Sequence, residues 1–444
     1  MIRKVIIFMV AGAFTADAYA LDDGSQMEVR YCGIGYLGQA ADISKNYPYL
    51  ASTVLSKDVR PSLGNLLKTV SEDANPRLRF VGEATDALSY VISAAKYELQ
   101  KYKNPLPPYN QMFNVIYTLT IQTVLFNKDS KEIKGVYPWT YQFNDASPEK
   151  PSDAVIAAKF KSFFDLPPPL KEGEEPDPQL FMVQWREAMA DFNPIANAKT
   201  IAVAPVQFSE AAAAALAAAA PSGGTEGAVM ALGTELTSAL EAELSEKLGL
   251  PVIPGGGAPG VDGKSASQFV AAIPDCLNAG SESFSLPAPS YRFFLGIAQV
   301  ASASRVSTET RESVGADGAI AKESIKSTEI GYGARYSLNV VAPDETDTSE
   351  WGGQRLITDH KLRFIGAKRF TGDRTLNEFD QHRKLSLAFM GELADGLMSR
   401  NEKWIKDHLS ADIGKTKPSA VRKEWIEVFE KRMGLARSKK KKEQ

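Results

Sequence analysis

The sequence predicts a mixed α/β (α+β) chain of two similar sheet-plus-helix domains, and three observations lead there. Its 444 residues, 44% hydrophobic and 24% charged, have ordinary globular composition and exceed what one core usually fills. A proline-rich acidic stretch over 166–179, LPPPLKEGEEPDPQ, can continue neither a helix nor a central strand and so divides the chain. The order of strand-like and helix-like patterns before that break also recurs after it.

In chain order, residues 1–20 read as a secretory signal peptide. Arg3 and Lys4 form the positive start, Val5 to Phe14 is an apolar run too short to span a bilayer, and Ala18-Tyr19-Ala20 is a small-x-small cleavage site. The mature protein is expected to begin at Leu21, in the periplasm or secreted. Cys32 follows Val29-Arg30-Tyr31, which does not suit lipid attachment. The first domain, 21–165, opens with a strand over Glu28–Gly35 and a helix over Ser62–Val70. Strands follow over Tyr90–Leu99 and Asn114–Phe126. A turn at Lys128–Lys131 folds Ile133–Phe143 back as a hairpin, and a helix over Asp153–Phe164 closes the unit.

The second domain, 180–398, repeats this order. Thr200–Ala204 is a buried strand. The alanine run after it favours helix until Pro221-Ser222-Gly223-Gly224. Gly227–Leu248 is a helix with Leu232, Leu236, Leu240 and Leu244 at four-residue spacing, and Leu250–Ile253 is a short strand. Pro254–Gly263 is a loop. Tyr291–Ser302 corresponds to Tyr90–Leu99, Gly333–Val341 to Asn114–Phe126, and Leu356–Phe370 to the returning hairpin strand. His382–Met398 closes the unit. Helices fill 399–437, where Val421, Trp425, Val428, Phe429 and Met433 form one apolar stripe, and 438–444 is a basic tail whose Lys439–Lys442 are solvated.

Chemistry-bearing motifs are few. Gly33-Ile34-Gly35-Tyr36-Leu37-Gly38 has dinucleotide-fingerprint spacing, but no acidic residue on a second strand completes it, so the glycines are read as serving turns. Ala258 to Ser265, APGVDGKS, approximates a phosphate loop with Lys264 and Ser265 in the contacting positions, followed by a helix over Ser265–Ile273. Its prolines and the export route favour a surface loop. Asp359-His360 places its side chains on opposite faces of a strand. His382 and His408 lack metal-ligand spacing, the five tryptophans are scattered, and Glu174-Glu175 lie in the linker. No catalytic, cofactor-binding or metal residue is therefore assigned, and no cofactor is expected. A net charge of -3 gives no nucleic-acid footprint. Cys32 and Cys276 are the only cysteines, and whether they pair is left open: an oxidising compartment permits it, and geometry must bring their Cα atoms within about 7 Å.

The segment TIAVAPVQF, a small-residue loop, and then LGTELTSALEAELSEKLGLPVIP resemble the opening of the curli-secretion (CsgG) lipoprotein and TolB amino-terminal families. YRFFLGIAQV, with Gly296 near its middle, is similar to the strand that follows there. The resemblance covers about 199–398 and, more faintly, 28–165. It implies an α/β adaptor domain used in envelope assemblies, often oligomeric, and brings no catalytic residues. Ser302–Ile330 carries Arg305, Glu309, Arg311 and Glu312 and lacks the apolar face of a membrane strand, so pore formation does not come with the resemblance. The expectation is a non-enzymatic periplasmic scaffold or accessory subunit of a secretion, appendage or cell-wall assembly. Its expected partners are envelope proteins or further copies of itself, with peripheral contact to outer membrane or peptidoglycan. The alternative is a periplasmic hydrolase or ligand-binding protein using a cleft between the domains.

Overall fold

A computed structural model describes residues 26–103, 111–165, 176–192, 199–220, 225–253, 268–273, 275–277, 282–287, 289–314, 320–346, 354–356, 362–371, 377–409 and 417–432. The chain is mixed α/β, with helices laid on two sheets.

The first sheet is built from β1 (Met27–Leu37), β2 (Leu78–Val81), β3 (Asp86–Lys103), β4 (Gln111–Asn127) and β5 (Glu132–Ser147). β1 lies parallel to both β2 and β3, and β3, β4 and β5 then run antiparallel in turn. Between β1 and β2 come the short α1 (Ile43–Asn46) and α2 (Arg60–Ala74), whose Pro61 sits in the first turn, where its missing N–H costs nothing. After β5 come α3 (Asp153–Ser162), capped by Ser152, and α4 (Phe181–Asp191).

One face of this sheet buries Leu88, Tyr90, Ile92, Tyr117, Leu119 and Ile121 against Leu67 of α2, Phe160 of α3 and Trp185 of α4. The rings meet mostly edge to face, as their quadrupoles favour; Tyr90 and Trp185 stand 4.9 Å apart at 89°. Polar atoms inside this layer are paired. Tyr90 donates to Ser71 Oγ at 2.7 Å, the Trp185 indole donates to the same oxygen at 3.3 Å, and Asn75 Nδ2 donates to the Met189 carbonyl at 3.0 Å. α4 lies after the proline-rich break, yet it packs on the first core, so the division at 166–179 does not mark where the packing divides.

The second sheet repeats the first. β6 (Ile201–Val203) and β7 (Gln207–Phe208) lie parallel to β10 (Tyr291–Val314). β10 runs antiparallel to β11 (Ile320–Thr346), whose other edge takes β12 (Gln354–Leu356) and β13 (Leu362–Thr371). α5 (Glu210–Ala219), α6 (Thr225–Leu248) and α7 (Glu378–Ser399) cover it, followed by α8 (Glu402–His408) and α9 (Pro418–Trp425). Leu232, Leu236, Leu240 and Leu244 of α6 are buried, as their spacing implies, and so are Val421, Trp425, Val428 and Phe429. Met433 lies outside the described residues.

The repeat holds to the residue. Val29 pairs with Phe80 as Ile201 pairs with Val252, and Tyr36 with Ile92 as Phe208 with Ile297. Ile121 pairs with Trp139 as Tyr336 with Phe364. The register of β3 on β4 shifts between Ile92 and Ala94, and that of β10 on β11 shifts between Ile297 and Gln299, the equivalent place. Asn377 caps α7 where Ser152 caps α3. The short strand expected over Leu250–Ile253 reduces to bridges made by Val252 alone.

The principal departure is an insertion between Val252 and β10. The helix expected over Ser265–Ile273 is instead β8 (Gln268–Ala272), which forms a hairpin with β9 (Glu282–Ser285). Phe269, Val270, Ala271 and Ala272 suit a strand as well as a helix, and pairing on both edges decides the outcome. This hairpin leaves the second half and closes over the first sheet. β8 pairs with the end of β1 and β9 with Glu132 of β5. Beneath it lie Cys32, Ala87, Val91, Val124 and Phe126, all buried, with Phe284 of β9 packed down onto Phe126 at 5.1 Å between ring centroids. The first sheet is therefore covered by helices on one face and by this flap on the other.

Candidate assembly surfaces

Three features distinguish this molecule as a candidate for assembly: the internal junction, the flap and the long hairpin. At the junction, Val252 pairs antiparallel with Val136 of β5, donating its N–H to the Val136 carbonyl at 2.7 Å, while Ile253 donates to the Ile201 carbonyl at 2.6 Å. The edge of the first sheet is thereby continued by the short-strand position of the second. Across the same boundary Arg383 of α7 joins Glu98 of β3 and Glu235 of α6. Its Nε donates to Glu235 at 2.6 Å, and its terminal nitrogen reaches both carboxylates. The planar fork matches two carboxylates at once, and these hydrogen bonds, that to Glu235 first, hold the guanidinium firmly charged.

The flap is tied down covalently. Cys32 and Cys276 form a disulfide with Cα atoms 5.1 Å apart. The glycines beside it are explained by this contact. Gly33 has φ +73°, and a Cβ there would fall 1.9 Å from the Asp275 carboxylate; a Cβ at Gly35 would fall 2.5 Å from the Ala272 carbonyl oxygen. Gly33 and Gly35 lie inside β1, which leads to no phosphate-binding helix turn, so the fingerprint spacing marks close approach of the Asp275 side chain and of the β8 backbone, and the turn reading is corrected for those two. Arg60 Nη2 stands 3.5 Å from Asp275, adding a polar contact at the same place.

The hairpin is the third feature. β10 has 24 residues and β11 has 27, and they stay paired from Arg292–Val341 to Val314–Ile320. β10 is buried at Val300, but Ala301 to Val306 are exposed, with Val306 at 64%. Among the described residues β13 accompanies β11 as far as Glu329, opposite Thr371. Among the described residues, Val306–Val314 and its partner form a two-stranded ribbon about 30 Å long at roughly 3.3 Å per residue. At the ribbon's root Ser302 bonds Glu378, Tyr336 donates to Ser386 at 3.0 Å, and the Tyr332 ring meets His382 edge-on at 5.4 Å. Burial lowers the His382 pKa, against a smaller opposing pull from Glu378.

The remaining sequence candidates fall into three groups. The signal peptide, the phosphate-loop-like 258–265 with Lys264, Glu174-Glu175, Asp359-His360 and the tail lysines all lie outside the described residues. His382 and His408 are packing residues on separate helices; His408 Nδ1 lies 2.9 Å from the Trp404 carbonyl and its ring stacks on that indole. Four of the five tryptophans meet in pairs, and Trp351 lies outside the described residues. Trp139 and Trp185 meet at 5.3 Å, Trp404 and Trp425 at 6.2 Å, each pair inside an aromatic layer. Among the described residues no group of three or more His, Cys, Asp or Glu could hold a metal ion, and no helix is long and apolar enough to cross a membrane. The chain matches no known family model and no curated protein.

Sequence reasoning passed over Glu98, Glu235 and Arg383, because one charge on each of three distant elements leaves no local pattern. It also passed over Tyr47, whose hydroxyl donates to the Leu37 and Ile92 carbonyls, both at 3.0 Å. The Tyr47-Pro48-Tyr49 cluster could have flagged an anchored turn.

Proposed function

We propose that this chain is an exported, non-enzymatic scaffold subunit of an envelope secretion, appendage or cell-wall assembly, engaging it through the β10–β11 ribbon. The observation that carries this reading is the ribbon itself. A two-stranded ribbon gains little stability alone, and its edges offer unpaired N–H and C=O groups to a neighbouring strand. A third strand from a partner would satisfy those groups by β-augmentation. The resemblance to envelope adaptor domains points the same way, as does the signal-peptide pattern over 1–20.

The test shortens the ribbon by replacing residues 306–328 with Asn-Gly, which closes a two-residue hairpin. The body should keep its circular-dichroism spectrum and its melting temperature, because the ribbon lies beyond both cores. Native gels of envelope extract should show the intact chain in large complexes and the shortened chain free. Equal recovery of both in those complexes would sink the reading. Mass spectrometry of the same fraction should find Leu21 as the first residue.

A further inference from the structure

We infer that the chain associates head to tail with further copies of itself, the β2 edge of one copy pairing antiparallel with the β13 edge of the next, as Val252 pairs with Val136 inside the chain. This deepens the scaffold reading and rests on it for its setting.

The internal junction supplies the template. Val252 is the counterpart of Phe80, since both pair parallel with the equivalent first strand of their half. β5 is the counterpart of β13, since Trp139 and Phe364 pair with the equivalent residues Ile121 and Tyr336. The molecule therefore contains one completed β5-type to β2-type junction. It also carries the two outer strands of another: among the described residues β2 pairs as a strand only with β1 and β13 only with β11. The outward N–H groups of β2 are held within the chain, Leu78 by the Asn75 carbonyl at 3.1 Å and Phe80 by Glu72 Oε1 at 2.9 Å, so pairing with a second copy exchanges these bonds for ladder bonds. A surface pair that fits within one chain fits between chains by the same geometry. Such an interface is heterologous: it uses different patches on the two copies and propagates until it closes or runs on.

The template also says what the intermolecular junction lacks. The flap reaches from the second half to the first within one chain and is locked by Cys32–Cys276. In the first half β2 runs to β3 through a short connection, Gly82–Thr85, that offers no such cover. Counted from the caps Asn377 and Ser152, Arg383 has Ala158 at the matching position of the first half, so the charge clamp is missing as well. The junction between copies is weaker than the internal one and forms with rising concentration.

Register fixes the test. Beside the Val252–Val136 bridge, Pro251 stands opposite Tyr137; their counterparts are Arg79 and Leu362. The native cysteines are both in the disulfide, so introduced thiols are the free ones. Arg79 is exposed and pairs only at the surface with Glu28, so its replacement is mild. Full-length Arg79→Cys and Leu362→Cys single variants, mixed and oxidised, should give a one-to-one heterodimer. The double variant should give a ladder of dimer, trimer and higher bands on a non-reducing gel. Light scattering of the wild-type chain should show mass rising with concentration. A wild type that stays monomeric throughout, or single variants that link only to themselves, would overturn the inference, and the light-scattering result stands even if a variant misfolds. Running the ladder on the ribbon-shortened chain separates the two proposals. A ladder with undiminished envelope recovery defeats only the ribbon reading, and lost recovery without a ladder defeats only the head-to-tail pairing.

Discussion

Tyr47 and Ser209 do the same work on opposite halves of the molecule. Where β3 bulges, the Tyr47 hydroxyl donates to the Ile92 carbonyl; where β10 bulges, Ser209 donates from Oγ to Ala298 at 2.6 Å and from its N–H to Ile297 at 2.9 Å. A bulge frees carbonyls from the ladder, and inside a protein each needs a donor. Tyr47→Phe keeps the ring and removes the donor, so chemical denaturation should show a loss of about 1–3 kcal/mol. Burial pushes the Tyr47 and Tyr141 hydroxyls up to about 12 and raises Tyr90 and Tyr336 as well. The folded state thus holds protons that the unfolded chain gives up near pH 10. The tyrosine contribution should be level below that pH and fall as pH rises from 10 through 12, read by melting temperature at each pH. His382 has the opposite sense. Its folded pKa lies below the ordinary 6.5, so its contribution is full above 6.5 and lost as pH falls beneath it. His382→Gln should flatten the change in melting temperature between pH 7 and 5; an unchanged slope would mean that other groups govern it.

At the scale of elements, periodicity revealed what packing needs and missed what pairing alone decides. The leucines of α6 and the stripe of α9 were legible because each presents one apolar face to one core. α4 also had a legible pattern, Met182, Trp185 and Met189, hidden only by the proline-rich run before it. The outer part of β10, SASRVSTETRESV, has no apolar alternation, so its length depends on β11 and could not be read. β8 was ambiguous for the reason given above. The flap rests on a small core plus the disulfide, which closes a sequence separation of 244. Replacing both Cys32 and Cys276 by alanine should cost about 5.5 kcal/mol in the chain-entropy view. Limited proteolysis should then cut first within 268–285, whereas a cleavage pattern like that of the wild type would show that the hairpin holds without its bond.

For the whole molecule, the order of elements disclosed the duplication, while side-chain identity did not. Tyr117 and Tyr332 are equivalent and alike, but Leu88 is matched by Phe293 and Val124 by Asn339. Sheets tolerate such exchanges so long as the face pattern survives. The junction between the halves was illegible, because Val252, Val136 and Arg383 meet only after both halves have folded. The same fact predicts that a fragment ending at Ile253 keeps its helix-covered core but leaves Val91, Val124 and Phe126 bare on the other face. It should bind a hydrophobic dye that the full chain does not; equal binding would count against the flap's covering role.

The flap also imposes an order in time. A chain delivered amino-terminus first presents β1 to β5 well before residues 268–285 arrive, and Cys32 has no native thiol partner until Cys276 follows. During that interval the first half has an uncovered apolar face and a reactive sulfur beside it. Maturation of this protein is thus a race between arrival of the flap and capture of that face by something else. Slowing delivery between residues 150 and 270 should raise the share of mixed disulfides without altering the finished molecule.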